Sequence, residues 1–229
     1  MKKLLLVVLL LAGCAPTVGT SMPISFVESE MSIRYLALGD SYTIGESVAE
    51  NERFPNQLAS LLEKKGYTME VSIVARTGWT TSELWAGIQN AGIHPKYDLV
   101  SLLIGVNNQY RGFDADEYRE EFRFLLGKSI EYAGGDVRRV FIFSIPDWSV
   151  TPFASGRDSA KIASEIDLFN TINQEQAEAA GAQYVDITPI SRRAVDLPSL
   201  IAADGLHPSA EMYAQWAAVA LPKIIEVLK

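Results

Sequence analysis

The sequence predicts an α/β fold, a three-layer α/β/α sandwich with a central parallel sheet of about five strands. Three observations predict it. Short apolar runs alternate with amphipathic stretches along nearly the whole chain, the pattern of strand–helix–strand units. The run Leu99 to Ile104 lacks alternation, as a central strand covered on both faces requires. Polar clusters follow directly after the strands, at the rim where sheets of this kind bind ligands.

The elements follow in order. Tyr35 to Leu38 is a short apolar strand ending at Gly39. Phe54 to Lys65 places Leu58, Leu61 and Leu62 on one helical face, and Gly66 suits its C-terminal stop. Val71 to Ala75 is a β-branched strand. Thr80 to Asn90 is helical, with Leu84, Trp85 and Ile88 in register. After the Leu99 strand, Asp116 to Tyr132 reads as a long helix with Phe122, Leu125, Leu126 and Ser129 or Ile130 inward. Val140 to Ile145 is a second buried strand. Ala160 to Ala180 is helical through Ile162, Ile166, Phe169 and Ile172, and Gln183 to Ile187 is the fifth strand. A last helix begins after His207, with Pro208 in its first turn. Pro222 is expected to kink or interrupt it.

The chain has 229 residues, 48% of them hydrophobic and 21% charged, which excludes a disordered or fibrous polymer. Its net charge is −8. An acidic surface repels phosphate backbones, so no nucleic-acid partner is expected. One cysteine excludes an internal disulfide framework, and with two histidines, His94 and His207, little remains for a metal cluster.

Residues 1–13 read as a lipoprotein signal peptide, 14–32 as a lipidated tether and 33–229 as the folded domain. Lys2 and Lys3 precede the apolar run Leu4 to Ala12, far short of the ~20 residues of a spanning helix. The junction Leu11-Ala12-Gly13-Cys14 resembles a bacterial lipobox. That resemblance implies cleavage before Cys14, lipid attachment to its sulfur and a membrane anchor at the cell envelope. The alternative is an ordinary signal peptide with a chance cysteine. A start at Met31 would instead give a cytoplasmic protein, against which the signal-like residues upstream argue.

Four clusters share the expected rim: Gly39-Asp40-Ser41-Tyr42, Arg76-Thr77-Gly78-Trp79, Gly105-Val106-Asn107-Asn108 and Asp204-Gly205-Leu206-His207. Serine, histidine and aspartate together form an acyl-transfer set, with glycine and asparagine as donors. A lone Gly-Asp-Ser is more often a turn with a capping serine, and Gly78 or Asn107 alone would be a turn glycine or a loop cap. Their order as a set resembles the GDSL/SGNH hydrolase family, from Tyr35 to the last helix. Gly39-Asp40-Ser41 matches its nucleophile block, Gly78 its glycine block, Gly105-x-Asn107 its asparagine block and Asp204-x-x-His207 its closing block. Asn108 stands where the family usually has aspartate.

The resemblance implies a flavodoxin-like sandwich and a serine ester hydrolase without metal or organic cofactor. It implies Ser41 as nucleophile, His207 as base and Asp204 as the acid that orients it. The backbone N–H of Ser41, the N–H of Gly78 and the Asn107 amide would form the oxyanion hole. Asp40 is expected to be structural, and His94 a surface turn residue. The segment Ser144 to Phe153 is aromatic and proline-rich, and Trp79, Tyr110 and Trp148 are the expected substrate-binding aromatics. Arg157 and Asp158 could pair at a helix start. Expected substrates are small-molecule, glycan or lipid esters; carbohydrate O-deacetylases and lysophospholipases share this mechanism. A non-catalytic binding lipoprotein on the same fold is the reading from another class, against which the intact set argues.

Overall fold

The computed structural model describes residues 32–229. The signal peptide and nearly all of the tether lie outside the described residues; Ser32 already belongs to the first strand. The five strands are β1 (Ser32–Gly39), β2 (Thr68–Ala75), β3 (Leu99–Leu103), β4 (Val140–Phe143) and β5 (Gln183–Val185). They form one parallel sheet in the order β2-β1-β3-β4-β5.

This order dictates the layers. The crossover from β1 to β2 runs one way along the sheet, and all later crossovers run the other. Right-handed crossovers then place their helices on opposite faces. The first crossover is α2 (Phe54–Glu63), which packs against the C-terminal helix α8 (Ala210–Leu228). The later ones are α3 (Thr81–Asn90), α5 (Ala115–Tyr132) and α6 (Ser159–Ala180), with α5 packed against α3 and α6. The sandwich expected from the sequence is therefore present.

The buried core runs through both layers. β3 is buried at all five positions, and its one polar residue, Ser101, shares a 2.8 Å hydrogen bond with Tyr35 Oη. Phe54, Phe143, Tyr213 and Trp216 stack between β4, α2 and α8, with ring centroids 4.9 to 6.4 Å apart. Capping follows sequence chemistry: Thr80 and Glu83 form a reciprocal capping box on α3.

Two expectations at the C-terminal helix need correction. Ser209, not Pro208, stands at the helix entrance, its hydroxyl accepting from the Met212 N–H, so Pro208 precedes the helix. Pro222 does not interrupt α8. One lost N–H is tolerated because the face bearing Met212, Tyr213, Trp216, Ala220 and Ile224 remains buried on both sides of it.

Three short helices complete the fold: α1 (Ser41–Ile44), α4 (Val106–Tyr110) and α7 (Thr188–Arg192). The direction of the connections switches between β1 and β3, the place where sheets of this type hold ligands. α1 and α4 emerge from the carboxyl ends of these two strands.

Candidate active site

Asp40 sets up the first element of the site. It caps α1, its Oδ1 accepting the Tyr42 N–H at 3.0 Å. Ser41 is thereby the first residue of the helix rather than its cap. Asp40 is fully buried, and Oδ2 has no hydrogen-bond partner among the described residues. Burial pushes its carboxyl up to about 7, against the pull of the Tyr42 N–H and its own N–H. This agrees with the structural role expected for it.

The second element follows β2. Gly78 adopts φ +85°, and a Cβ there would meet only Arg111 Nη2, at 3.9 Å. The left-handed backbone, rather than crowding, calls for glycine. Arg111 donates to the Gly78 carbonyl at 2.5 Å and pairs with Glu83 at 3.3 Å, which pins the turn.

The third element follows β3. Gly105 has φ +124°, and a Cβ there would come within 2.3 Å of Tyr118 Oη. This tight turn launches α4 and its Asn107. Asn107 Nδ2 donates to the Trp79 carbonyl at 2.9 Å, using one of its two N–H groups. Asn108 is fully buried. Its Oδ1 accepts the Thr81 N–H at 3.1 Å, and its Nδ2 donates to Thr81 Oγ1 at 2.7 Å. Thr81 in turn donates to Glu121. The asparagine thus ties α4 to the start of α3, and its amide supplies a donor that an aspartate could not.

The fourth element precedes α8. Ala202 N–H donates to the His207 carbonyl at 2.8 Å, closing a compact loop. Within it, Asp204 Oδ1 accepts the N–H groups of Leu206 and His207 at 2.9 and 3.0 Å. Oδ2 meets His207 Nδ1 at 2.6 Å. Partial burial opposes ionisation of Asp204. Donors from Ser47, His207 and the two backbone N–H groups outweigh it and hold the carboxyl well below its ordinary range. With Nδ1 donating to the carboxylate, a neutral imidazole presents Nε2 as its acceptor. The Tyr42 ring packs edge-on against His207, 5.6 Å between centroids.

These elements converge. Ser41, Gly78, Asn107 and His207 line one cavity of about 170 Å³, with Asp204 behind the histidine. Among the described residues no hydrogen bond joins the Ser41 hydroxyl to the His207 ring; such contacts commonly tighten only when substrate binds. The remaining wall comes mainly from Tyr42, Val106, Tyr110, Trp148, Phe153 and Leu206. Trp148 is fixed by a 2.8 Å hydrogen bond from Nε1 to Gln109 Oε1. Tyr110 and Phe153 are 46% and 41% exposed, so they form an aromatic lip rather than core.

Of the three aromatics expected at the site, Tyr110 and Trp148 line the cavity and Trp79 does not. The Trp79 ring lies over Gly87 of α3, where a Cβ would be 2.0 Å from it. Its contribution is the carbonyl that holds Asn107. Arg157 and Asp158 do not pair as expected. Asp158 caps α6 through the Lys161 N–H, while Arg157 lies over the rings of Tyr110, Trp148 and Phe153 at 5.1 to 5.4 Å. His94 is exposed in a loop. Val106 and Leu206 were within the clusters read from sequence but carried no signal of lining. Among the described residues no group of three or more His, Cys, Asp or Glu side chains could hold a metal ion.

Residues 37–215 match the model of the GDSL-like lipase/acylhydrolase family. The chain belongs to this family and is a hydrolase acting on ester bonds. Solved structures share its fold. An acetylxylan esterase from Geobacillus stearothermophilus aligns with TM-score 0.66 at 21% identity, covering 84% of this chain and 94% of that one. A lipase/acylhydrolase from Enterococcus faecalis aligns with TM-score 0.65 at 19% identity, covering 84% and 95%. A psychrotrophic esterase from Pseudoalteromonas sp. aligns with TM-score 0.64 at 15% identity, covering 85% and 98%. No curated protein matches the chain.

Proposed function

We propose that the protein is a serine esterase for short acyl groups, working through an acyl-enzyme intermediate. The observation that carries this is the bond between His207 Nδ1 and Asp204, in a histidine that shares one cavity with Ser41, Gly78 and Asn107. His207 Nε2 takes the proton of Ser41 as Oγ attacks the ester carbonyl. The tetrahedral oxyanion is met by the N–H groups of Ser41 and Gly78 and by the free N–H of Asn107. His207 then returns the proton to the departing alcohol. Water, deprotonated by His207, attacks the acyl-enzyme and releases the acid. Asp204 stays ionised and steadies the imidazolium.

The cavity supports a small acyl group. Its volume of about 170 Å³ is below the ~300–1,000 Å³ usual for sites that enclose drug-sized ligands. A lysophospholipase would need a long apolar groove. The aromatic lip of Tyr110 and Phe153 suits a larger alcohol portion outside the cavity, a sugar among them, as an O-deacetylase requires. The fold shared with an acetylxylan esterase is consistent with this. A panel of p-nitrophenyl esters tests it. Specificity constants should be highest for acetyl and butyryl and fall steeply by octanoyl. A maximum at palmitoyl would overturn the short-acyl reading.

Anchoring at the cell envelope through lipidated Cys14 is part of the same proposal, supported by the residues that precede it. Metabolic palmitate labelling should mark the wild type in a bacterial membrane fraction and leave Cys14→Ser unlabelled and soluble. Labelling of both, or of neither, would refute the anchor.

A further inference from the structure

Asp204 Oδ2 takes a second donor besides His207. Ser47 Oγ donates to it at 2.6 Å, from 157 positions away in the chain. Ser47 also holds φ +67°, a left-handed conformation uncommon for a residue with a side chain. Among the described non-glycine residues only Lys96 shares a positive φ. Such a backbone persists where its surroundings over-determine it, and here the surroundings are the site itself. The loop starts on the nucleophile: the N–H groups of Gly45 and Glu46 both donate to the Ser41 carbonyl at 3.0 Å. Glu46 accepts from Thr77, beside Gly78. Ser47 then reaches Asp204. One short loop therefore touches the nucleophile's residue, the Gly78 turn and the acid.

We infer that Ser47 is a positioning residue of the catalytic relay, tethering the Asp204 carboxylate to the turn that carries Ser41. This rests on the proposed Ser41–His207–Asp204 mechanism. The hydroxyl holds the same oxygen, Oδ2, that meets Nδ1, so that the carboxylate stays aimed at the imidazole. The titratable groups around the relay are Tyr42 and Tyr213, whose phenols burial holds neutral, Asp40, which caps the helix of Ser41 through Tyr42, Asp147, which acts on Tyr42, and Glu46, tied to Thr77. The Ser47 side chain bonds to none of these, only to Asp204.

The test compares Ser47→Ala with Ser47→Gly on p-nitrophenyl acetate. Alanine removes the hydroxyl and keeps the strained backbone; glycine removes both, and it secures folding. Each should lower kcat about tenfold, the low end for one hydrogen bond to a charged group, with KM nearly unchanged. The acid limb of the pH profile should move to higher pH in both, because a carboxylate with one donor fewer holds the imidazolium more firmly. A Ser47→Gly enzyme with wild-type kcat and pH profile would overturn the tether, since only the backbone would then have mattered. His207→Ala is the companion measurement. If it is inactive while the Ser47 variants are normal, the tether alone fails. If it is fully active, the relay beneath the tether fails.

Discussion

Asn107 offers the sharpest quantitative prediction, because its two N–H groups have separable duties. One donates to the Trp79 carbonyl at 2.9 Å and fixes the amide plane. In the proposed mechanism the other meets the oxyanion, in the cavity that Asn107 lines. Asn107→Ala removes both. Loss of one preorganised oxyanion donor costs about 10²–10³ in kcat, roughly 2.7–4 kcal/mol of transition-state stabilisation. The unpaired Trp79 carbonyl belongs to a half-buried residue, so the stability cost should sit near the low end of the range for an unmet hydrogen bond, about 1 kcal/mol. Stopped-time assays on p-nitrophenyl acetate should therefore show kcat reduced by two to three orders of magnitude and KM little changed, the mark of a contact made only in the transition state. Thermal unfolding should shift by only a few degrees. A kcat within threefold of wild type in a folded variant would refute the oxyanion assignment.

Further outcomes follow from the site. Asp204→Asn should lower kcat on the order of 10⁴, because the imidazole would no longer be held in the productive tautomer. Asp204 itself has a depressed folded pKa. Its stabilising contribution is therefore complete above the ordinary aspartate range and is lost only as pH falls through the lower folded value. Asp204 therefore stays ionised through the ordinary aspartate range, and an Asp204 carboxyl seen by NMR to protonate there would contradict this. Asp40 has the opposite sign. Its carboxyl is raised to about 7, so stability falls as pH climbs from the ordinary aspartate value toward 7, by at most about 4 kcal/mol. Asp40→Asn keeps the acceptor for Tyr42 and should raise the melting temperature at pH 8 but not at pH 4; equal effects at both would count against it. Asn108→Asp should destabilise the fold by about 1–3 kcal/mol, since Thr81 Oγ1 loses a donor and a second carboxylate enters beside Glu121. Denaturant titration measures this, and an unchanged midpoint would argue against the asparagine tie.

All five strands and the five long helices were legible in the sequence, because each spans enough residues for its period to show. Val71 to Ala75 and Leu99 to Ile104 differ from the observed strands only at their ends. The helices α1, α4 and α7, four or five residues each, are too short to display periodicity, yet two of them carry Ser41 and Asn107. The rim position of the site residues was legible because strand ends mark it. The direction of a ring was not: Trp79 and Trp148 both follow strands, but Gly87 leaves room on α3 for the first. Pro222 does not break α8, because burial of the helix outweighs one missing bond. Ser47 carried no local signal at all, since its meaning lies in a carboxylate 157 positions distant.

The central claim is that Ser41 Oγ is made nucleophilic by His207. Intact-protein mass spectrometry after exposure to a fluorophosphonate tests it most directly. The wild type should gain one phosphonyl adduct, mapped by peptide sequencing to Ser41, Ser41→Ala should gain none, and His207→Ala should react orders of magnitude more slowly. Adduct formation elsewhere with Ser41 untouched, or an undiminished rate in His207→Ala, would contradict the account.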